Sequence, residues 1–230
     1  AARTVRRALT CFANQAIAVP THNPLTAAIH IPEFTIVSFS FGCEMRTRPR
    51  SIEAFLGRLS SLGDRVRTDE EALAAVSHDE SGLPSSAPAA VIWPKSTSEV
   101  SQLCREAFDL GIALVPRGGG TGKAGGCVPG PAQVVVDLSR MNRVLELQKK
   151  DQYVVVEPGM INANLDRLVA EHGLMYPPDP ASRDSCTLGG NIATNAGGAR
   201  AVKYGVTQRY VWGVDIVLPN GDVMRCGRLC

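Results

Sequence analysis

The 230-residue sequence predicts an α+β fold, in which short strands and amphipathic helices are joined by long, glycine-rich loops. Glycine and proline are plentiful, with 22 and 15 residues, whereas aromatic residues make up only 5% of the chain. This composition favours a mixed fold with many functional turns. Short β-branched runs recur from Ala90 onward, and two segments between them have helical periodicity.

Residues 1–50 differ from the rest of the chain. No acidic residue precedes Glu33, Arg3, Arg6 and Arg7 lie among alanines, and no clean helical or strand period emerges. The segment is typical either of an arginine-rich targeting peptide or of a disordered extension, and the missing periodicity favours the second. We expect a cytoplasmic protein, which a partner could hold at a membrane, or an organellar one if these residues are a targeting peptide.

The lead-in, residues 51–89, is expected to be helical over Ser51–Ser77 and to end in a loop rich in serine and proline, Ser81–Pro88. The domain proper, residues 90–230, opens with a strand at Ala90–Trp93. Ser96 and Glu99 then form a capping box, and Gly111 ends the helix that follows.

Strand Ile112–Val115 leads directly into the first of two glycine-rich segments. The remaining elements are three strands, a second amphipathic helix that stops at Gly173, and a hairpin around Asn220-Gly221; in order they are Val134–Leu138, Val144–Leu147, Tyr153–Glu157, Ile161–His172, Val211–Leu218 and Val223–Cys226.

The glycine-rich segments are the strongest functional signal in the chain. The first is Pro116–Gly126, with the sequence PRGGGTGKAGG, and the second is Cys186–Gly198, with the sequence CTLGGNIATNAGG. Successive backbone N–H groups in such segments form a concave nest for phosphate oxygens, which glycine permits without steric cost. Two of them, each after an apolar stretch, indicate a long diphosphate ligand held at several points.

Three other interpretations of the first segment fit poorly. Gly120–Gly125 matches the dinucleotide fingerprint, but that motif must open a helix, and the prolines Pro129 and Pro131 forbid one. A Walker loop would need glycine where Arg117 stands and a hydroxyl where Ala124 stands. A flexible linker would not have a buried strand on each side.

Four motifs in order make a resemblance specific. They are Pro116–Gly122, Tyr176–Pro180 (YPPDP), Leu188–Gly198 and Lys203–Thr207 (KYGVT). From about Ala90 to Cys226 the chain resembles the flavin-binding domain of the vanillyl-alcohol oxidase/p-cresol methylhydroxylase superfamily. The closest similarity is to its FAD-linked oxidase branch, which contains glycolate oxidase, D-lactate dehydrogenase and D-2-hydroxyglutarate dehydrogenase.

The resemblance implies a p-cresol methylhydroxylase-type FAD-binding domain of two small subdomains, at about 90–174 and 175–230, the second incomplete. It also implies the cofactor-binding residues: Arg117, Gly118, Gly119, Gly120, Thr121 and Gly122 around the pyrophosphate; Pro178 and Asp179 along the flavin or its ribityl chain; Gly189, Gly190, Asn191, Thr194, Asn195 and Gly198 in a facing wall; and Ile216 near the adenine. Some superfamily members attach FAD through a histidine in the first loop. Thr121 stands at about that place, so we expect non-covalent FAD.

The resemblance further implies a flavin-dependent oxidoreductase that oxidises a D-2-hydroxy acid such as glycolate or D-lactate. Electrons would pass to a quinone, a cytochrome or an iron-sulfur partner subunit. The family's cap domain, which carries the catalytic base, is expected beyond the end of this chain, so no base can be named. The alternative is a non-catalytic or partner-dependent FAD-binding fragment that lacks the substrate domain.

Composition and spacing exclude several other classes. The formal net charge of +2 gives no reason to expect nucleic acid as a partner. No apolar run approaches the roughly 20 residues that span a bilayer. The seven scattered cysteines contain no C-x-x-C pair, and the four histidines lack metal-ligand spacing, so we expect a reducing compartment and no metal site.

Overall fold

A computed structural model describes residues 52–227 and the backbone of Thr35–Val37. The prediction of a disordered or targeting extension over residues 1–50 therefore lies outside the described residues, apart from this one strand, β1. No helix within the described part of the chain is long and apolar enough to cross a membrane.

A four-stranded mixed sheet forms the centre of the first half. Its strands are β2 (Val66–Arg67), β3 (Ala90–Ile92), β4 (Leu114–Arg117) and β5 (Val134–Asp137), in the order β2-β3-β5-β4. Both β3 and β4 are parallel to β5, whereas β2 is antiparallel to β3. All residues of β3 and β5 are buried, which explains their continuous β-branched runs.

Six helices accompany the sheets in the described residues: α1 (Ile52–Arg58), α2 (Glu70–Ala75), α3 (Thr97–Leu110), α4 (Asn162–Ala170), α5 (Leu188–Thr194) and α6 (Ala201–Tyr204). Short 3₁₀ helices occupy Ser60–Arg65, which is kinked at Gly63, and Leu138–Arg140 and Thr207–Tyr210. The predicted ends of α3 are confirmed. The Ser96 hydroxyl accepts from the Glu99 N–H at 3.2 Å, and Gly111 adopts a left-handed φ of 69°.

The lead-in contains a strand besides the helical stretch with polar breaks that the sequence predicted. Between α1 and α2 the chain makes a 3₁₀ turn, with Gly63 at a φ of 56°, and then forms β2. The short run Val66–Arg67 has too few residues for a strand signal in the sequence, and its pairing with β3 decides its conformation.

The second half contains two smaller sheets. An antiparallel pair, β6 (Val144–Gln148) and β7 (Tyr153–Val156), precedes α4. The predicted hairpin is confirmed as β8 (Gly213–Val217) and β9 (Val223–Gly227), and Gly221 in its connection has a φ of 84°. Strand β1 adds to this hairpin, parallel to β8.

Two main hydrophobic clusters hold these elements together. The first lies between the central sheet and helices α1 and α3, and includes Phe55, Ile92 and Leu103. The second lies around α4 and α5 and includes Leu165 and Leu188. Strand β4 of the first cluster leads into the first glycine-rich segment. Leu188 of the second cluster lies within the second glycine-rich segment. Contacts between the two segments therefore join the two halves of the core.

Candidate functional site

The two glycine-rich segments pack directly against each other. A Cβ atom added to Gly118 would overlap the Thr187 hydroxyl, and one added to Gly119 would overlap the Ser185 carbonyl oxygen. Only glycine allows this approach, because any side chain would push the two segments apart. The sequence prediction that both segments belong to one site is thereby supported by their contact.

The first segment presents unused backbone donors. Strand β4 ends at Arg117, and within the described residues the N–H groups of Gly118, Gly119, Gly120, Thr121 and Gly122 donate to no protein acceptor. Gly120 has a φ of 68°, which a side chain would make strained. A run of free donors that includes a left-handed glycine is the arrangement of an anion-binding nest.

The Arg117 side chain is committed to neighbouring backbone. Its guanidinium donates from Nη1 to the His78 carbonyl oxygen at 2.7 Å and from Nη2 to the Ala75 carbonyl oxygen at 3.5 Å. The Cys127 Sγ lies 3.6 Å from Nη1. Arg117 thus ties the start of the loop to the end of α2.

The second segment is a helix where the sequence suggested a loop. Thr187 caps α5, its hydroxyl accepting from the Gly190 N–H at 3.3 Å. The Leu188 and Gly189 N–H groups donate to the carbonyl oxygens of Met160 and Pro158, at 2.8 and 2.9 Å. The backbone donors at the start of this segment are therefore already used within the protein.

One side-chain donor in the second segment has no partner. Asn191 is 3% exposed, and its Nδ2 makes no hydrogen bond within the described residues. A buried donor left unpaired costs about 1–3 kcal/mol, so such groups are normally paired with a ligand or an ordered water. The Asn191 amide calls for an acceptor that the described protein does not supply.

The Pro178–Asp179 segment is held from both sides. The side chain of Asn162, 1% exposed at the start of α4, donates from Nδ2 to the Pro178 carbonyl oxygen at 3.3 Å. The Asp179 N–H donates to the Gly197 carbonyl oxygen at 3.1 Å. A Cβ on Gly198, whose φ is 100°, would overlap the Asp179 carbonyl, so this predicted residue must be glycine to allow the contact.

The Asp179 carboxylate is compensated by two arginines. Arg183 and Arg200 each approach it to 3.2 Å, and Arg183 also contacts Asp166 at 3.1 Å. Asp179 therefore fixes its own segment through ion pairs.

Nearby, burial raises the pKa of Tyr176, the first residue of the YPPDP motif, so that its phenol stays neutral where it packs edge-on against Tyr210.

The remaining predicted residues separate into two groups. Thr194 and Asn195 end α5: the Thr194 hydroxyl donates to the Gly190 carbonyl oxygen at 2.9 Å, and the Asn195 Oδ1 accepts from the Gln208 N–H at 3.0 Å. Ile216 lies in β8, paired with Ile36 and Met224, and so belongs to the three-stranded sheet and not to the glycine-rich segments.

Two residues of the site were not predicted from the sequence. Thr187 could have been recognised as a helix cap, since threonine is favoured there and its hydroxyl reaches the N–H three residues on. Asn162 carries no such signal, because its partner, Pro178, lies far along the chain.

The residues present fit FAD. The free N–H groups of the first segment suit a pyrophosphate, the unpaired Asn191 amide suits an acceptor atom, and the glycines let a ligand approach the backbone closely. Residues 88–227 match the family model described as an FAD binding domain. The chain belongs to this family. FAD is accordingly its cofactor, as the sequence predicted.

Known proteins support the same conclusion. The chain is 42% identical over 151 residues to glycolate oxidase subunit GlcD of Bacillus subtilis, covering 66% of this chain and 32% of that protein. It is 38% identical over 177 residues to D-2-hydroxyglutarate dehydrogenase of Stutzerimonas stutzeri, covering 76% and 38%. The chain thus spans about a third of the length of these relatives.

The fold is also confirmed by a solved structure. The crystal structure of p-cresol methylhydroxylase with substrate bound superimposes with a TM-score of 0.65 at 21% identity, covering 75% of this chain and 35% of that one. At this identity the likeness establishes the fold. It confirms the predicted α+β, p-cresol methylhydroxylase-type domain.

Proposed function

We propose that this chain is the FAD-binding portion of a flavin-dependent oxidoreductase that oxidises a D-2-hydroxy acid of the glycolate or D-lactate type. The observation that carries the proposal is the row of N–H groups from Gly118 to Gly122 that donate to no acceptor in the described part of the chain, placed against the second segment at Thr187. Electrons would leave for a quinone, a cytochrome or an iron-sulfur partner. The names of the relatives, a glycolate oxidase subunit and a D-2-hydroxyglutarate dehydrogenase, support the substrate class.

Each part of the site has a separate task in this proposal. The loop Arg117–Gly122 holds the pyrophosphate through its backbone donors, and Asn191 donates to an acceptor atom of the cofactor. The other residues form the surrounding surface: Pro178, Asp179, Gly189, Gly190, Thr194, Asn195 and Gly198 beside the flavin and ribityl chain, and Ile216 near the adenine. FAD, when bound, supplies a flavin ring that accepts the hydride of an oxidised substrate.

We further propose that FAD is held without a covalent bond. No histidine lies in Pro116–Gly126, and Thr121 occupies the place where some superfamily members attach the cofactor. Cys127 is the cysteine nearest to this loop, and burial raises the pKa of its thiol, so it is mostly in the unreactive protonated form.

The test is to mix the purified chain with FAD, pass it through a desalting column and record its visible spectrum. We expect a retained flavin band that acid releases into the filtrate. A colourless protein would refute FAD binding, and a band that stays with acid-precipitated protein would refute the non-covalent mode.

A coloured protein then allows a substrate test. If this chain carries out catalysis by itself, glycolate, D-lactate or D-2-hydroxyglutarate, added without oxygen, will bleach the flavin band, with the L-enantiomer of lactate as the control. A flavin that none of them bleaches would favour the alternative, a non-catalytic or partner-dependent FAD-binding fragment.

A further inference from the structure

The first glycine-rich segment is supported by residues that precede the match to the FAD binding domain model. We call residues 75–83 the clasp; they comprise the last residue of α2 and the loop that follows. The match to that model begins at residue 88. The clasp nevertheless contacts the first glycine-rich segment at its beginning, its middle and its end.

At the beginning of the segment the contact is made by Arg117. Its guanidinium donates to the Ala75 and His78 carbonyl oxygens, at the carboxyl end of α2, where a cation is favourable. A Cβ on Gly120 would overlap the same guanidinium, so the loop folds back closely over the Arg117 side chain. The position of Arg117 therefore fixes the path of the backbone that follows it.

Further along the segment the contacts are made by Asp79. One carboxylate oxygen accepts from the Ser81 N–H at 2.9 Å. The other accepts from the Cys127 thiol at 3.7 Å and lies 3.6 Å from where a Cβ of Gly122 would stand. The Leu83 side chain occupies the space where a Cβ of Gly125 would stand.

The charges of the two residues are complementary. Burial acts to raise the pKa of Asp79, but hydrogen bonds from Ser81 and Cys127 and the charge of Arg117 outweigh it, and the net pKa is lowered. Asp79 is thus an anion at neutral pH, near the Arg117 cation, with the Cys127 thiol in contact with both.

A glycine loop needs such support more than an ordinary loop does. Glycine loses more conformational freedom on ordering than any other residue, so a free loop would be costly to order around a ligand. Holding the loop in its binding conformation beforehand reduces that cost and raises affinity.

We propose that Asp79 and, through its side chain, Arg117 are positioning residues that hold the glycine loop so that its free N–H groups face the FAD pyrophosphate. Neither side chain needs to contact the cofactor for this role. The proposal rests on the proposed function, because it assigns the loop to FAD.

The test compares Asp79→Asn with Glu80→Gln. Both remove one negative charge, but the Glu80 carboxylate contacts only the exposed Lys123 in the described structure, at 3.1 Å, and such pairs contribute little. We expect FAD to bind about tenfold more weakly to Asp79→Asn and to Arg117→Lys, and within about twofold of wild type to Glu80→Gln. Thermal unfolding of each FAD-free variant separates this effect from a loss of overall stability.

A measurement without FAD keeps the two proposals distinguishable. Trypsin cleavage after Lys123, followed by mass spectrometry, reports local opening of the loop. We expect faster cleavage in Asp79→Asn, and wild-type cleavage in Glu80→Gln, which frees the Lys123 side chain without freeing the loop.

Each outcome decides one proposal. A wild-type chain that binds no FAD would refute the proposed function, whereas unchanged cleavage in Asp79→Asn would refute the clasp. Wild-type FAD affinity in Asp79→Asn, with only the unfolding temperature lowered, would reduce Asp79 to an ordinary structural residue and would also overturn the inference.

Discussion

The two glycine-rich segments have similar compositions and opposite hydrogen-bonding states. Within the described residues, the backbone donors from Gly118 to Gly122 are unused, whereas from Leu188 to Asn191 every N–H group is paired. In the same helix start, the Asn191 side-chain Nδ2 has no hydrogen-bond partner within the described residues. The first segment is therefore suited to bind through its main chain, and the second through its shape and one side chain.

Flanking residues, and not glycine content, produce this difference. Pro129 and Pro131 follow the first segment closely, and a left-handed Gly120 interrupts it, so no helix can form. In the second segment Thr187 supplies a cap and the residues after the glycine pair are compatible with helix, so α5 forms. Glycine-rich segments should therefore be judged by whether a helix can use their donors.

The largest effect is expected from Gly119→Ala, which separates the two segments. The new Cβ would overlap the Ser185 carbonyl oxygen, which directly precedes the second segment, and would lie 3.3 Å from the Cα of Cys186, the first residue of that segment. Both atoms belong to backbone and cannot simply rotate away. Overpacking of this kind typically costs about 1–3 kcal/mol, and the loop must move to relieve it. We expect at least a tenfold loss of FAD affinity, measured by quenching of FAD fluorescence.

Gly126→Ala is the matched control for this change. It lies in the same segment, and a Cβ there would meet nothing within 4 Å. Near-wild-type affinity is expected. Equal losses in the two variants would mean that contact with the second segment does not matter.

Asn191→Leu tests the second segment by removing its unpaired donor. Because the change also removes an unsatisfied buried group, the FAD-free protein should be as stable as wild type or more so. FAD affinity should nevertheless fall about tenfold, the loss expected for one hydrogen bond to a ligand. Calorimetric unfolding of the FAD-free chain and an FAD titration give the two values. A parallel loss of both would instead identify an ordinary core residue.

Thr187→Val tests the contact between the two glycine-rich segments with a smaller change. The isosteric valine keeps the packing but loses the hydroxyl that accepts from Gly190. Loss of a helix cap typically costs about 1 kcal/mol, and we expect that decrease in the free energy of unfolding in urea. The effect on FAD affinity should be smaller than in Gly119→Ala. The reverse order would show that the hydroxyl, and not the close backbone approach, sets the geometry of the site.

Much of the fold could be predicted because its signals are local. The caps of α3 at Ser96 and Gly111 and the Asn220-Gly221 hairpin depend on neighbours within a few residues, and the structure has them where expected. The contact between Gly118 and Thr187 joins residues far apart in sequence. The two glycine-rich segments and the resemblance to a family suggested one shared site, but no local pattern predicted the contact itself. The same holds for Asn162, whose partner is Pro178.

The role of Arg117 shows what a motif leaves open about a single side chain. Its place at the head of a phosphate-binding loop suggests a cation for the phosphates. In the structure its guanidinium contacts the carbonyl groups of Ala75 and His78. Those partners lie in a segment without any motif, so no local pattern could have revealed them.

The smallest expected effect is the pH dependence of the stability that Asp79 contributes through its support of the first segment. The pKa of Asp79 is lowered from its ordinary value of 3.8, so its interactions stabilise the fold fully above that value. Their contribution must disappear as pH falls through the lowered pKa, when the carboxylate is protonated. The groups facing it are the Arg117 cation and the Cys127 thiol, whose pKa is raised by burial, so neither changes charge in acid.

The free energy of unfolding of wild type minus that of Asp79→Asn should therefore be positive and constant near neutral pH and shrink below about pH 4. A difference that grows in acid would mean that burial, and not its partners, dominates at Asp79, and the first segment would then lack the anion that we assign to its support.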